Sequence, residues 1–145
     1  MGIHRTSIGS GGPFEAKVGY SRAVRVGDWV AVSGTAAFKD GEPVAPGDAA
    51  AQTRHILDVI ERALHEAGAT MADVIRYRVF VTDNNDFPAV GAELGRVFGD
   101  IRPAGTLVGN TTIVDPRCAV EIEVDAIAGS GEKGSSLDFG RQMGR

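Results

Sequence analysis

The sequence is short of what several chemistries need. It has one cysteine, Cys118, in 145 residues. That excludes an internal disulfide framework and a cysteine-based zinc site. Histidine is scarce: only His4, His55 and His65. None pairs with a carboxylate at metal-ligand spacing, and no Ser-His-Asp arrangement can be argued from them. No metal and no cofactor is therefore expected. No apolar run nears the ~18 residues of a membrane-spanning helix, so no membrane partner is expected. The opening MGIHRTSIGS lacks the apolar core of a secretory leader, and a cytoplasmic location is expected. Positive charge is not in excess: 15 Lys and Arg against 19 Asp and Glu leave a formal charge of −4. A phosphate-backbone binder wants a basic stripe, so a nucleic-acid partner is not expected. The early GSGG is not a phosphate loop, since no strand precedes it and no lysine follows.

The length suits one domain, which can bury about 70% of the surface its unfolded chain exposes. Glycine crowds both ends, in GSGG and in GSGEKGSSLDFGRQMGR. Neither end has the apolar residues to offset its ordering entropy. The expected division is a partly mobile extension over residues 1–18, a folded unit over 19–128 and a flexible tail over 129–145.

YSRAVRVGDWVAVSG reads as a hairpin turning at Gly27-Asp28 and broken at Ser33-Gly34. Asp48 is placed to cap a helix whose stripe is Ile56, Leu57, Ile60, Leu64 and Ala67, with Gly68 as its stop. His55 and His65 fall on its polar side and read as solvated. Thr70 and Asp73 have capping-box spacing. VIRYRVFVTD follows as a strand, with Ile75, Tyr77, Val79 and Val81 on one face and Arg76, Arg78 and Phe80 on the other. A second helix begins near Asn85 or Asp86, tolerates Pro88 in its first turn and ends at Gly99. Its stripe is Phe87, Val90, Leu94, Val97 and Phe98. TLVGNTTIV and AVEIEVDAIA complete the set as strands. In the last, Val120, Ile122, Val124 and Ala126 oppose Glu121, Glu123 and Asp125.

The order is ββαβαββ, with a further short strand at HRTSI as an option. It predicts an α+β fold: one mixed sheet with both helices on one face. The other sheet face, carrying Trp29 and Phe80, is left without a cover. Self-association is the expected solution. Arg76 and Arg78 are expected to pair with the acidic stripe.

GYSRAVRVGDWVAVSGT, GDAAAQTRHILDVIERALHEAGATMADVIRYRVFVTD and DIRPAGTLVG…VEIEV resemble the Rid family, also called YjgF and the endoribonuclease L-PSP family. The resemblance runs from about Gly19 to Ala128. It implies a chorismate-mutase-like fold and a homotrimer with ligand clefts between subunits. Familiar members hydrolyse reactive enamines and imines, such as 2-aminoacrylate, to a keto acid and ammonia. In them an arginine after PA grips the substrate carboxylate, and a carboxylate of the last strand assists proton transfer.

The match is partial. Tyr20 stands where the family's PYSQA tyrosine stands. Ser33 and Gly34 match the SG of the cleft, Thr106 the small hydroxyl, and Glu121 the strand carboxylate, or Glu123 if the register slips by two. The arginine, however, is Gly105, the helix asparagine is Gly91, the aromatic three residues on is Leu94, and the glutamine after the tyrosine is Arg22. Either the deaminase activity is lost, or Arg22 or Arg78 supplies the missing charge. The expectation is a homotrimer binding a small metabolite, lined by Tyr20, Arg22, Ser33, Gly34, Gly105 and Thr106, with Glu121 handling a proton or a water. Gly105 would leave room for a bulkier or less acidic ligand. It would hydrolyse an imine or related carbonyl compound, but would not be an efficient 2-aminoacrylate deaminase. The alternatives are a non-enzymatic binder or structural trimer and, remotely, a ribonuclease.

Overall fold

A computed structural model describes residues 2–132. The tail assigned to 129–145 lies outside the described residues from 133 onward. The elements run β1 (Arg5–Ile8), α1 (Pro13–Val18), β2 (Ala23–Val26), β3 (Trp29–Ala36), β4 (Phe38–Lys39), β5 (Glu42–Pro43), α2 (Ala49–Glu66), β6 (Val74–Val81), α3 (Phe87–Phe98), β7 (Ala104–Val108) and β8 (Val120–Ile127). Six strands form one sheet in the order β1-β2-β3-β8-β6-β7. All neighbours are antiparallel except β6 and β7. The sheet is mixed because α3 carries the chain from the end of β6 back to the start of β7, as a parallel pair requires.

Both long helices lie on one sheet face. The expected stripe of α2 is buried along its length, and Asp48 caps it by accepting from the Ala51 N–H at 2.9 Å. On α3, Val90, Leu94 and Phe98 are buried, with Phe87 and Val97 packed at the edge of the core. The sheet meets them with Val30, Val32, Val79, Val81, Val120, Ile122, Val124 and Ala126. Burying this apolar surface is the main favourable term for folding. The opposite face carries Trp29, Phe80 and the acidic stripe, and nothing among the described residues covers it. Trp29 is 50% exposed there.

Three expectations need correction. Within residues 1–18 the optional strand at HRTSI forms, while the helix that follows it was not foreseen. Arg5–Ile8 pairs with β2, and Pro13–Val18 is a short helix held by Glu15, which accepts from the Ser10 and Gly12 N–H groups. Polar RTSI shows no alternation, so only pairing with a neighbour makes it a strand. Ile75 does not share the face of Tyr77. The register shifts between Val74 and Arg76, so Val74 is buried and Ile75 is pushed outward. TLVGNTTIV is a strand only to Val108, after which Asn110 enters the left-handed region at φ 49°.

Candidate active site

Ser33 and Gly34 sit at a second irregularity, where the β3–β8 register jumps between Val32 and Thr35. A bulge of this kind frees backbone from the ladder and re-aims its neighbours. Ser33 turns its hydroxyl to the Ser21 carbonyl at 2.6 Å. The Gly34 carbonyl accepts from Arg22 Nη2 at 2.7 Å. A Cβ at Gly34 would run into the Glu121 carboxylate, so only glycine lets that carboxylate lie flat against the bulge. Arg22 stands 5.9 Å from the Tyr20 ring centroid, within cation–π reach. Tyr20, Arg22, Ser33, Gly34 and Glu121 therefore form one cluster. Tyr20 and Ser33 also open onto a surface hollow of about 370 Å³ beside Glu15.

The electrostatics of the cluster follow from its partial burial. Desolvation raises the Glu121 pKa; Arg22 pulls it back and Glu123 pushes it further up. Desolvation likewise lowers the Arg22 pKa, partly offset by Tyr20, Glu15 and Glu121. Among the described residues, Arg22 Nε is a buried side-chain polar atom with no hydrogen-bond partner. Such an atom in a native fold calls for an explanation, and a ligand or a bound water supplies one.

The acidic stripe divides. Glu123 takes a 3.1 Å ion pair from Arg78, which also approaches Asp125 at 3.7 Å. Arg78 is thus the structural partner of the stripe, and Glu123 is occupied. Arg76 makes no ion pair among the described residues. Glu121, two residues away on the same face, makes no salt bridge among the described residues and lies at the bulge. The register pairs Glu121 with Ala36 and Phe80, and Glu123 with Arg78.

Gly105 and Thr106 do not join this cluster within the chain. They lie on edge strand β7, two strands from β8. Thr106 is registered with Arg78 on the open face, and Gly105 with Tyr77 on the helix side. Nor does Gly105 leave free room. A Cβ there would meet the Tyr77 ring at 2.7 Å and its hydroxyl oxygen at 2.9 Å. The Tyr77 ring, tilted against Phe98 at 5.2 Å, has taken that space. Beside it runs a groove of about 460 Å³ between α3 and β7, lined by Tyr77, Gly91, Leu94, Arg102 and Leu107 among others. Sequence reasoning placed Tyr77 on the correct face but did not connect it to Gly105, because the pairing is parallel and nonlocal. Arg102 carried no sequence signal.

The remaining candidates are structural. Cys118 is buried, and desolvation pushes its thiol up. His55 is not simply solvated: its Nε2 lies 2.9 Å from the Phe38 carbonyl. His65 lies near Glu61 at 3.9 Å. Among the described residues, no group of three His, Cys, Asp or Glu side chains could hold a metal, and no helix is long and apolar enough to cross a membrane.

Comparison with known proteins agrees with this architecture. The family model "Endoribonuclease L-PSP" matches residues 12–128. The Streptomyces coelicolor protein SCO2049 is 37% identical over 123 residues, 85% of this chain and 92% of its own. The 3-aminoacrylate deaminase RutC of Acinetobacter baylyi is 36% identical over 104 residues, 71% of this chain and 82% of its own. Among solved structures, Rv2704 of Mycobacterium tuberculosis, of the YjgF/YER057c/UK114 family, superposes with a TM-score of 0.78 at 47% identity, covering 86% of this chain and all of its own. With the six-stranded sheet, the paired helices and the Ser33-Gly34 bulge in hand, these matches place the chain in the endoribonuclease L-PSP family, also called YjgF.

Proposed function

We propose that the chain forms a homotrimer whose intersubunit clefts bind a small metabolite and hydrolyse an imine, an enamine or a related carbonyl compound. One observation carries the reading: Glu121 is a half-buried carboxylate with a raised pKa, without a salt bridge among the described residues, pressed on the Gly34 bulge beside Arg22. Groups with perturbed pKa values in a polar cluster are the expected signature of proton-transfer work. The name of the relative RutC, a 3-aminoacrylate deaminase, supports an enamine or imine as the substrate class.

The chemistry needs one proton carrier. The Glu121 carboxylate removes a proton from water as the water oxygen bonds to the imine carbon, and the C=N electron pair moves to nitrogen. Glu121 returns its proton to that nitrogen. Glu121 then relays the carbinolamine hydroxyl proton to its nitrogen, the C–N bond breaks with its electron pair leaving on ammonia, and the carbonyl product remains. An enamine first takes a proton on carbon from protonated Glu121; it becomes an iminium at nitrogen and leaves Glu121 as the carboxylate that activates water. Arg22 holds the bulge carbonyl in place and keeps positive charge near Glu121. With no cation at Gly105, 2-aminoacrylate lacks a charge-assisted anchor of roughly 1.5–3 kcal/mol per bond, so its efficient turnover is not expected. A binder without turnover is the second reading, favoured by the Tyr77 phenol standing at Gly105 in place of a charge.

The test is ammonia release from a panel of imines by the wild-type chain and by Glu121→Gln. A fall of at least about 100-fold is expected. Turnover that is unchanged in the variant would remove Glu121 from the chemistry.

A further inference from the structure

The β3–β8 register skips Ser33 and Gly34, so the ladder does not hold them there. Ser21 and Arg22, which lead into β2, hold them instead. The Ser33 N–H donates to the Arg22 carbonyl at 3.0 Å, and the Ser33 hydroxyl to the Ser21 carbonyl at 2.6 Å. The third bond, from Arg22 Nη2 to the Gly34 carbonyl at 2.7 Å, is the one that reaches the residue on which the Glu121 carboxylate lies.

Holding Gly34 does not by itself call for arginine. A glutamine amide could donate to the same carbonyl without taking a charge out of water, which is costly. Among the described residues the Arg22 guanidinium makes one hydrogen bond, and its buried Nε makes none. What arginine adds over an amide is a fixed positive charge. That charge acts on Glu121 and Glu15 and stands beside the Tyr20 ring.

We infer that Arg22 is a positioning residue for Glu121, fixing the carboxylate through the Gly34 carbonyl and setting beside it a positive charge that favours its proton-accepting form. The other neighbours do not supply that charge. From β3 come Gly34 and Ala36, and from β6 Phe80, none of them ionisable. Arg78, further along β6, is paired with Glu123. Cys118, before the strand, is a buried thiol that desolvation pushes up, so it carries no charge near pH 7. Desolvation raises the Glu121 pKa, Arg22 opposes that, and Glu123 adds to it. Removing the Arg22 charge therefore raises Glu121 further. Since the carboxylate takes the proton from water, activity then moves to higher pH. As a statement about the reaction this rests on the hydrolase reading above; the coupling of the two side chains does not.

The experiment titrates the Glu121 side-chain carboxyl by carbon-13 NMR in the full chain and follows kcat and KM on the imine panel against pH. Arg22→Gln keeps a donor for Gly34 and drops the charge. It is expected to raise the Glu121 midpoint and carry the acid limb of kcat up with it, with KM unchanged within about twofold. Arg22→Lys keeps the charge and loses the rigid fork. Its midpoint is expected to stay near that of wild type while kcat falls about tenfold. A purely structural arginine would cost stability in both variants and move neither the midpoint nor the limb. A midpoint equal in wild type and Arg22→Gln, or one that rises as far in Arg22→Lys as in Arg22→Gln, overturns the inference. So does a raised KM with kcat unchanged, which makes Arg22 a substrate contact. The two readings fail separately. A midpoint raised in Arg22→Gln, with turnover absent or unchanged in Glu121→Gln, leaves the pair and removes the hydrolase. Glu121-dependent turnover with a midpoint indifferent to Arg22 leaves the hydrolase and removes the pair.

Discussion

At the residue scale, the proposed chemistry rests on two residues, Gly34 and Glu121. Gly34 is not in the left-handed region, so alanine is conformationally tolerated there, but its Cβ would displace the Glu121 carboxylate. Gly34→Ala is expected to cost no more than about 1–3 kcal/mol in denaturant unfolding while lowering imine turnover at least about tenfold. Equal turnover would mean that the position of Glu121 does not matter. The raised pKa of Glu121 has a consequence for stability. The folded chain holds this proton more tightly than the unfolded chain does. Its contribution is full below the unfolded value, near pH 4, and is lost as pH rises through the higher folded value. Glu121→Gln should therefore be more stable than wild type at pH 7, with the difference shrinking toward pH 4. Urea unfolding at both pH values measures it; a difference independent of pH would place its cause elsewhere.

At the scale of elements, the start of β8 is fixed by helix α2 rather than by its own pairing alone. Gln52 is fully buried on α2. Its Nε2 donates to the Val44 carbonyl at 3.0 Å and the Arg117 carbonyl at 3.1 Å, and its Oε1 accepts from the Ala119 N–H at 2.8 Å. That side chain spans 67 residues of sequence to hold the strand two positions before Glu121. Gln52→Leu keeps the volume and orphans three backbone groups, so a loss of about 3 kcal/mol is expected by denaturant unfolding. A loss below 0.5 kcal/mol, on the order of a surface change, would show that water replaces the amide. The helical stripes, the Asp48 cap and the Thr70–Asp73 turn were legible beforehand, because each is set by spacing within a few residues. The Gln52 clamp was not, since a polar residue on a helix carries no sign of what lies across the fold.

At the scale of the whole molecule, the sheet has one face covered by α2 and α3 and one that the described residues leave bare. Trp29 is half exposed there, with Val24, Val26, Phe80, Val108 and Ile127 registered on the same side. The proposed trimer buries these residues, and it is the arrangement that could bring the β7 edge of one subunit toward the Glu121 cluster of the next. Sedimentation at micromolar concentration is expected to show one species of three chains. Trp29→Glu, which sets a charge in the would-be interface, should shift it to single chains with loss of turnover. A monomer in the wild type would remove the shared cleft.

The sequence by itself determined the two long helices with their buried stripes, the main strands, the face that β8 turns to the helices, and the family. These follow from local periodicity, from caps, and from many short matches in fixed order. Register was beyond it. The bulges at Ser33-Gly34 and Ile75, the ion pair of Arg78 with Glu123, and the lodging of the Tyr77 ring at Gly105 depend on how strands distant in sequence slide past one another. A slip of one residue would exchange every face, and only burying the whole core at once selects the register that holds.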